Sequence, residues 1–400
     1  MVRKHIYHPF EELSRWLKNG WIFDNTGRIE FHLGKSKGFA YICPAQEENN
    51  MKQLRLTAIF ALLVALFTES CSNEFDLTAP YKEIPVVYAI LSPTDTAHYV
   101  RVEKAFLDPK TNALVVAQIA DSLYYPENAI SVYLQKVGSS TLYQLKRVDG
   151  NQEGFVRDSG VFAQAPNWLY KIKDDDLPGG LSETASYRLI IKRQDGRPDI
   201  TAETIIPKSF NLIAPNTTGT PPFINFLGKL TTTFRWTHDE NAVYFNIYMV
   251  VPYRVLNSNG TLDFVDTLYW TPVSNKRFDG VGGNNSQERV VGNDFYSALR
   301  NHMLSKDPNA LDNDGRIRYF GQISIAVEGG GREIYEYNLT EQANAGLTGA
   351  EILQTYTNMS EGFGIFTAKN YRQYNGFKMG AVTIDSMRNS TIVQDFNFKF

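Results

Sequence analysis

The sequence predicts an all-β protein with two β-sandwich domains in tandem and one short helix inserted in the second domain. Throughout residues 84–400, apolar and polar residues alternate over short segments, and Gly, Pro, Asn and Asp separate these segments. Short strands with frequent turns and little helical patterning are typical of a β-sandwich. The chain also has 22 Tyr and 25 Phe, which supply apolar area for two cores.

Ahead of this region, residues 51–70 have the pattern of a cleavable secretion signal. A basic start that includes Lys52 leads into an apolar centre at residues 56–67, and the small Ser70 then precedes Cys71. These are the features of a signal that is cut after export. A membrane-spanning helix needs about 20 apolar residues, so this centre is too short to remain as a span.

The same residues resemble the lipobox of bacterial lipoproteins, in which the Cys is acylated and becomes the first residue of the mature protein. Ser70 fits the small residue before the Cys, whereas Glu69 departs from the usual pattern. Lipoproteins that Bacteroidota send to the cell surface often carry acidic residues after the Cys, and residues 73–76 (NEFD) are similar. The resemblance implies lipidation of Cys71, with residues 71–82 as a tether to the periplasmic or cell-surface face of the outer membrane.

Residues 1–50 precede a complete signal that has its own initiator-like Met51. Because a secretion signal works at the N-terminus, we expect residues 1–50 to be a gene-start artefact or a disordered extension. The alternative is a cytoplasmic extension ahead of an uncleaved anchor.

Charge and cysteine content restrict the class of protein. From Cys71 onward the chain has 31 Lys and Arg against 36 Asp and Glu, a net charge of about −5. This mild acidity offers no basic surface for nucleic acid. Cys43 and Cys71 are the only cysteines, so the processed chain cannot form an internal disulfide and must be held together by its core.

The first sandwich is predicted over residues 83–209. Its segments pair as hairpins around turn-forming residues, which lie at 92–95, 137–140 and 194–198. Tyr99, Arg101 and Glu103 alternate with apolar residues, which predicts a half-buried strand.

Residues 210–228 are rich in Pro, Thr and Asn and are predicted to link the two domains. Beyond them, Trp236 ends one strand, and Tyr244, Asn246 and Tyr248 alternate along the next. This arrangement resembles fibronectin type III and related immunoglobulin-like domains, in which a buried Trp packs against a Tyr-containing strand. The resemblance implies such a fold for residues 229–400.

Within the second domain, residues 294–304 have the one clear helical pattern, with Asn293 as a candidate N-cap. Residues 316–327 and 333–339 are predicted to form a hairpin around a Gly-rich turn. The last six residues, 395–400, alternate as a strand at the edge of the sandwich.

Three segments resemble uncharacterised Bacteroidota outer-membrane lipoproteins: residues 86–91 (VVYAIL), 99–107 (YVRVEKAFL) and 361–366 (EGFGIF). Members of that group often look like partners of outer-membrane transport systems, so the resemblance implies such a partner.

Four Asp-Ser/Thr-apolar triplets are similar to the O-glycosylation signal of Bacteroidota. Their candidate acceptors are Thr96, Ser122, Thr267 and Ser386. Three-residue patterns also recur by chance, so a chance origin stays open.

No catalytic, metal or cofactor site is predicted. His238, Asp239 and Glu240 are consecutive, and we interpret them as a solvated turn, since zinc needs ligands that converge from several places. An EF-hand at residues 310–321 fails because its first and twelfth positions are Ala and Gly. A calcium site of another kind, from Asp307, Asp312 and Asp314, stays open beside a plain polar turn. The acidic run at residues 174–176 is interpreted as a solvated loop.

The expected function is that of a non-catalytic binding or accessory lipoprotein, which serves an outer-membrane transporter or a surface assembly. Loops around Gly280 and Asp312 are the expected contact surface. Aromatic pairs near loops, such as Tyr269 with Trp270 and Tyr124 with Tyr125, either bind a partner or a surface glycan or fill the cores. The alternatives are a structural or adhesive surface lipoprotein and, less favoured, an enzyme that acts on glycans.

Overall fold

The alternating segments of the N-terminal half form eight strands. A computed structural model describes residues 83–106, 113–277, 284–308, 315–345 and 355–400. The strands are β1 (Glu83–Leu91), β2 (Ala97–Phe106), β3 (Ile130–Lys136), β4 (Tyr143–Gln144), β5 (Lys146–Asp149), β6 (Trp168–Lys173), β7 (Ser186–Arg193) and β8 (Ile200–Ile205). Two short helices, α1 (Ala113–Ala117) and α2 (Ala120–Leu123), follow β2.

The C-terminal half has ten more described strands and three longer helices. They are β9 (Asn211–Ala214), β10 (Phe223–Ile224), β11 (Thr231–Thr237), β12 (Tyr244–Leu256), β13 (Leu262–Arg277), β14 (Asn285–Val291), α3 (Gly292–Lys306), β15 (Ile317–Phe320), β16 (Ile323–Gly330), α4 (Arg332–Ala345), β17 (Phe363–Met379), α5 (Ala381–Arg388) and β18 (Phe398–Lys399). The prediction of an all-β fold is therefore confirmed.

The strands form one large sheet and two small ones. The large sheet has eleven strands in the order β18-β15-β12-β16-β17-β1-β2-β6-β5, with β13 added beside β12 and β10 beside the end of β17. The small sheets are β4-β3-β7-β8 and β14-β11-β9. β18 lies at the edge, as its sequence predicts.

The two largest apolar cores both contain side chains of the large sheet. In the first core, Val87 of β1 and Phe366 of β17 pack with Leu189 of β7, which belongs to the four-stranded sheet. In the second core, Trp236 of β11 packs edge-on against Phe245 of β12, with 5.4 Å between ring centroids. Sandwich-like layers therefore form in both halves, and Trp236 is buried as the resemblance implies.

β17 belongs to both halves of the large sheet. Its first part pairs in parallel with β1, from Val86 opposite Phe363 onward, and its later part pairs antiparallel with β16. Gly364 makes the first pairing sterically feasible. A Cβ at this position would lie 1.9 Å from the carbonyl oxygen of Val87, and the φ of +105° also favours glycine.

The predicted linker, residues 210–228, contains β9 and β10. β9 pairs with β11, and β10 pairs with the end of β17. The division into tandem domains at this linker stays a prediction, although β17 connects the strands on both sides of it.

Two expectations about helices are wrong. The second half has three described helices of eight or more residues where one was expected, and α4 replaces the strand predicted at residues 333–339. Along α4, Ile334 and Tyr337 are three residues apart and both are buried against the large sheet. A strand would have placed these two side chains on opposite faces. The predicted helix at residues 294–304 is confirmed as the centre of α3.

Candidate binding surface and buried charge clusters

β13 is the longest exposed edge among the described strands. Its 16 residues pair with β12 along one side and with no other described strand. Side chains alternate in a strand, so Leu268 points into the second core while its neighbours point outward. An exposed strand edge is a ready template for another chain.

The first part of β13 presents apolar side chains to solvent. Val265 is 64% exposed, and Leu262 and Tyr269 are also exposed. We call these three residues the β13 surface. The later part is less suited to pairing, because Pro272 lacks an N–H and Asn275 has a φ of +51°. A partner strand would therefore meet residues 262–270.

Of the two loops predicted as the contact surface, only the one around Gly280 is next to β13 in sequence. Gly280 follows the end of β13 and Asp312 precedes β15, and both lie outside the described residues. At the other end of β13, Gly315 lies near Ser258 in the β12–β13 turn, with 3.3 Å from a built Cβ to the Ser258 Cβ.

The hairpin that carries the β13 surface is fixed to α3. The Asp266 carboxylate of β13 accepts hydrogen bonds from the Tyr253 hydroxyl of β12 at 3.0 Å and from His302 Nε2 of α3 at 2.9 Å. Burial opposes ionisation of Asp266, but the bonds from the Thr267 amide, Tyr253 and His302 hold its pKa below the ordinary value. These contacts tie β13 to β12 and to α3.

The face of the large sheet that points away from both cores carries buried charge; we call it the second face. In β2, Val100 and Val102 point into the first core, so Arg101 and Glu103 lie on the second face. Both are almost fully buried, which corrects the prediction of a half-buried strand. Within the part of the structure described, α4 covers some of this face, with Tyr337 against Tyr88.

One charge cluster on the second face joins two arginines to one carboxylate. Glu103 Oε1 accepts from Arg101 Nη1 at 2.7 Å and lies 3.1 Å from Arg157 Nη1. Arg101 also donates to Asn167 at 2.8 Å, and Arg157 donates to the Tyr124 hydroxyl at 2.8 Å. The cluster fastens the loop before β6 to β2.

A second cluster lies where β12, β16 and β17 meet. The Glu328 carboxylate accepts from Lys369 Nζ at 2.9 Å, from the Tyr248 hydroxyl at 2.9 Å and from Asn246 Nδ2 at 3.2 Å. Glu328 and Lys369 are almost fully buried, so each compensates the charge of the other. This pairing stabilises the junction and leaves Glu328 few lone pairs for a ligand.

The turn between β1 and β2 is electrostatically coupled to this cluster. Burial raises the pKa of Asp95 to about 6; Lys369 opposes this rise, and Glu328 and Asp174 add to it. Next to the turn, His98 Nε2 lies 3.0 Å from Asp174. Burial lowers the pKa of His98, although the Asp174 carboxylate opposes the change. Asp174 therefore has a structural partner rather than the solvated position expected of it.

His238 is buried, which corrects its interpretation as part of a solvated turn. Its Nδ1 lies 2.7 Å from the carbonyl oxygen of Asp239, and its Nε2 lies 3.0 Å from the Ser286 hydroxyl. Burial lowers the pKa of His238 despite the neighbouring Asp239. Both ring nitrogens are thus engaged within the fold.

Of the three residues of the alternative calcium site, only Asp307 lies within the described residues. Asp307 accepts a hydrogen bond from Arg316 at 2.6 Å, while Asp312 and Asp314 lie outside the described residues. Within the described ranges, no three His, Cys, Asp or Glu side chains come together in a way that suits a metal ion.

The predicted modification sites occupy different environments. Thr96 is exposed in the β1–β2 turn. Ser122 in α2, Thr267 in β13 and Ser386 in α5 are half-buried within regular elements. The lipidation site, Cys71, lies outside the described residues, as do residues 1–70 and the tether up to residue 82.

The aromatic pairs divide between core and surface. Tyr124 and Tyr125 are buried, and Trp270 packs against Phe226 in the second core, with ring centroids 5.6 Å apart. Only Tyr269 of these pairs is exposed. Among the helices of the described residues, none has the length and apolar character to cross a membrane.

A protein-family model described as Domain of unknown function (DUF4249) matches residues 72–375. The chain belongs to the DUF4249 family. The expectation of an uncharacterised family is confirmed at this level, and a lipoprotein of Bacteroidota stays a prediction. No curated protein shows significant similarity to this DUF4249 chain.

Solved structures share only loose similarity with the DUF4249 chain. The C-terminal globular domain of an oligosaccharyltransferase from Pyrococcus abyssi is 9% identical over 57% of this chain and 43% of its own, with a TM-score of 0.19. The FN1–FN3 domains of chicken CNTN1 are 10% identical over 62% and 61%, with a TM-score of 0.18. Trypsin-activated alpha-2-macroglobulin from Escherichia coli is 9% identical over 62% and 14%, with a TM-score of 0.16. The chain spans less than two thirds of each, and TM-scores this low give no basis for transferring a function.

Proposed function

We propose that this DUF4249 protein is a lipid-anchored, non-catalytic binding or accessory protein of the outer membrane, which partners a transporter or a surface assembly there. The β13 surface is the observation that carries the proposal. It offers a strand edge with exposed apolar side chains, and such edges bind partner segments by strand addition.

Two observations support the anchor. The residues around Cys71 have the order of a lipoprotein signal. The family model matches from residue 72, directly after this cysteine, so the match begins where the processed chain is expected to begin. Acylation would hold the protein at the membrane without a spanning helix.

The chemistry of the β13 surface supports a protein partner. Exposed apolar side chains grouped on one element mark interaction sites more often than scattered ones do. Val265 and Leu262 would lose contact with water on binding, while the backbone of residues 262–270 would gain hydrogen bonds. Specificity would come from the alternating side chains that the partner meets.

The test is affinity purification of tagged protein from outer membranes in mild detergent, with intact-mass measurement of its N-terminus. We expect acyl chains on Cys71 and a stoichiometric transporter or surface protein in the eluate. The key variant is Val265→Lys, and the matched control is Leu230→Lys, because Val265 and Leu230 are each 64% exposed. We expect Val265→Lys to reduce partner recovery about tenfold, as loss of a central interface residue does, and Leu230→Lys to leave it unchanged.

The outcomes separate the alternatives. Partner recovery that falls equally with both variants would overturn the assignment of the β13 surface. An acylated protein that elutes alone would favour the structural or adhesive role. An unacylated chain would overturn the anchor.

A further inference from the structure

A second exposed apolar region lies at α1 and α2. Val115 of α1 is 58% exposed and Ile119, between the helices, is 51% exposed. Val156 and Val161, on the loop before β6, are exposed as well. We call these four residues the α1–α2 ridge.

The two segments of the ridge are held together. The Ala163 amide donates to the Ala117 carbonyl at 2.9 Å, and Arg157 donates to the Tyr124 hydroxyl directly after α2 at 2.8 Å. Beneath them, Leu123 and Tyr124 are buried with Ala163. The ridge is therefore the outer surface of a small packed unit rather than a set of isolated side chains.

The ridge lies beside the point where the tether enters the fold. Glu83 begins β1 and pairs with Phe106, the last residue of β2. Lys104, opposite Pro85 in the same pairing, places its Nζ 5.9 Å from the ring centre of Tyr125. Burial raises the pKa of Tyr125, and the nearby Glu83 carboxylate raises it further. The segment after α2 thus packs against the start of β1.

Distances along the chain keep the ridge near the anchor. α2 lies between Ile119 and Tyr125. At 1.5 Å per helical residue, the distance along the chain from residue 119 to residue 125 is roughly 10 Å. Residues 72–82 span about 40 Å at full extension and less when relaxed. If Cys71 is held in the membrane, the start of β1 and the ridge beside it stay within that reach.

We propose that the α1–α2 ridge contacts lipid and enters the boundary between headgroups and acyl chains of the membrane that carries the anchor. The proposal rests on the proposed lipid anchor at Cys71. Apolar side chains such as Val115 and Ile119 gain free energy when they leave water at this boundary, and the tether supplies a high local concentration of membrane. The contact would fix the orientation of the protein, because attachment at a single point leaves the molecule free to rotate.

The test uses the processed lipoprotein with one introduced thiol. Acylation blocks Cys71, and Cys43 precedes the signal, so Ile119→Cys supplies the only thiol that reacts with an environment-sensitive fluorophore. Val115→Cys is a second position on the ridge, and Leu230→Cys is the control, since Leu230 is exposed elsewhere on the surface. The labelled proteins are reconstituted into phosphatidylcholine–phosphatidylglycerol vesicles.

We expect the probes at 119 and 115 to shift their emission to the blue and to be quenched by lipids that carry a nitroxide near the headgroup. The probe at 230 is expected to do neither. Emission at 119 and 115 that matches the probe at 230 would overturn the lipid contact. If these probes are shielded from water only in native outer membranes and not in the vesicles, the lipid contact is also overturned, because a membrane protein then covers the ridge.

Intact mass of the same samples separates failure of the inference from failure of the proposed function. An acylated protein with a solvated ridge overturns the inference alone, whereas an unacylated chain overturns the anchor and the inference with it. A glycan on Ser122 of α2 would also overturn the lipid contact, because hydrated sugar does not enter the acyl boundary.

Discussion

Asp95 shows how a surface turn acquires an unusual charge state. Its side chain is half-buried between the β1–β2 turn and the cluster of Glu328 and Lys369. Burial disfavours the carboxylate and is the largest effect; the Lys369 ammonium opposes it, and the charges of Glu328 and Asp174 add to it. The folded protein therefore keeps a proton on Asp95 up to a pKa of about 6.

The pH dependence of stability follows from this shift. The unfolded chain releases the Asp95 proton near a pKa of about 3.9, so between about pH 4 and pH 6 the folded state binds more protons. The contribution of Asp95 to stability is thus most favourable below about pH 4 and is lost as the pH rises to about 6. We expect Asp95→Asn to be more stable than the natural protein by about 1–2 kcal/mol at neutral pH, and this difference should vanish below about pH 4.

Urea unfolding across this pH range measures the difference. The matched control is Asp158→Asn, which makes the same substitution at an exposed position in a loop. A constant difference between Asp95→Asn and the natural protein at all pH values would contradict the assigned charge state.

The sequence did not predict which charged and polar residues contact one another in the buried clusters. Glu328 and Lys369 are 41 positions apart, and Arg101 and Asn167 are 66 apart. Arg101, Glu328 and Lys369 each have the pattern of an outward-facing strand position. Their burial depends on segments distant in sequence, such as the loop before β6 that brings Asn167 to Arg101. By contrast, the burial of Trp236 was expected from the resemblance to fibronectin type III domains, in which a Trp at this place is buried.

At the scale of elements, the pairing of β17 with β1 depends on Gly364. A Cβ there would meet the Val87 carbonyl oxygen at 1.9 Å, and a φ of +105° is strained for any side chain. Gly376, also on β17, has a φ of +87° but no atom within 4 Å of a built Cβ. A side chain at Gly364 would therefore meet both a steric clash and backbone strain, whereas a side chain at Gly376 would meet backbone strain alone.

We expect Gly376→Ala to cost about 1–2 kcal/mol of stability, from backbone strain alone, and Gly364→Ala to cost at least about twice as much. The free energy of unfolding in urea, followed by Trp fluorescence, tests this order. Equal losses for the two variants would show that β17 shifts to accommodate the methyl group, against the close approach seen between Gly364 and Val87.

Hairpins between strands that are neighbours in sequence could be predicted, whereas pairings between strands far apart in sequence could not. The hairpins of β1 with β2 and of β7 with β8 depend on turns and alternation within about twenty residues. The pairing of β1 with β17 joins Val86 to Phe363, and no local pattern encodes it. Residues 333–339 were predicted as a strand because they follow a Gly-rich turn, while the burial of Ile334 and Tyr337 against the large sheet favours the helical period.

At the scale of the molecule, β17 connects strands that would belong to separate tandem domains. β1 has β2 on one side and β17 on the other, so the N-terminal half depends on a strand near the C-terminus. The first core likewise contains Phe366 and Ala368 of β17 together with Met359. A chain cut at the predicted linker would leave the edge of β1 and part of this core exposed.

We therefore expect a fragment of residues 71–209 to lack cooperative unfolding, whereas the chain from residue 71 to 400 should unfold in one urea transition. Far-UV circular dichroism and Trp fluorescence, recorded on both, measure this, and coincident transitions by the two probes are the criterion for a single unit. The fragment retains Trp168 and all strands of the four-stranded sheet, so a loss of cooperativity would be attributable to the absence of β17 and residues near it. A fragment that unfolds cooperatively with the midpoint of the longer chain would instead establish the tandem-domain division, because β1 would then be stable without its C-terminal partner.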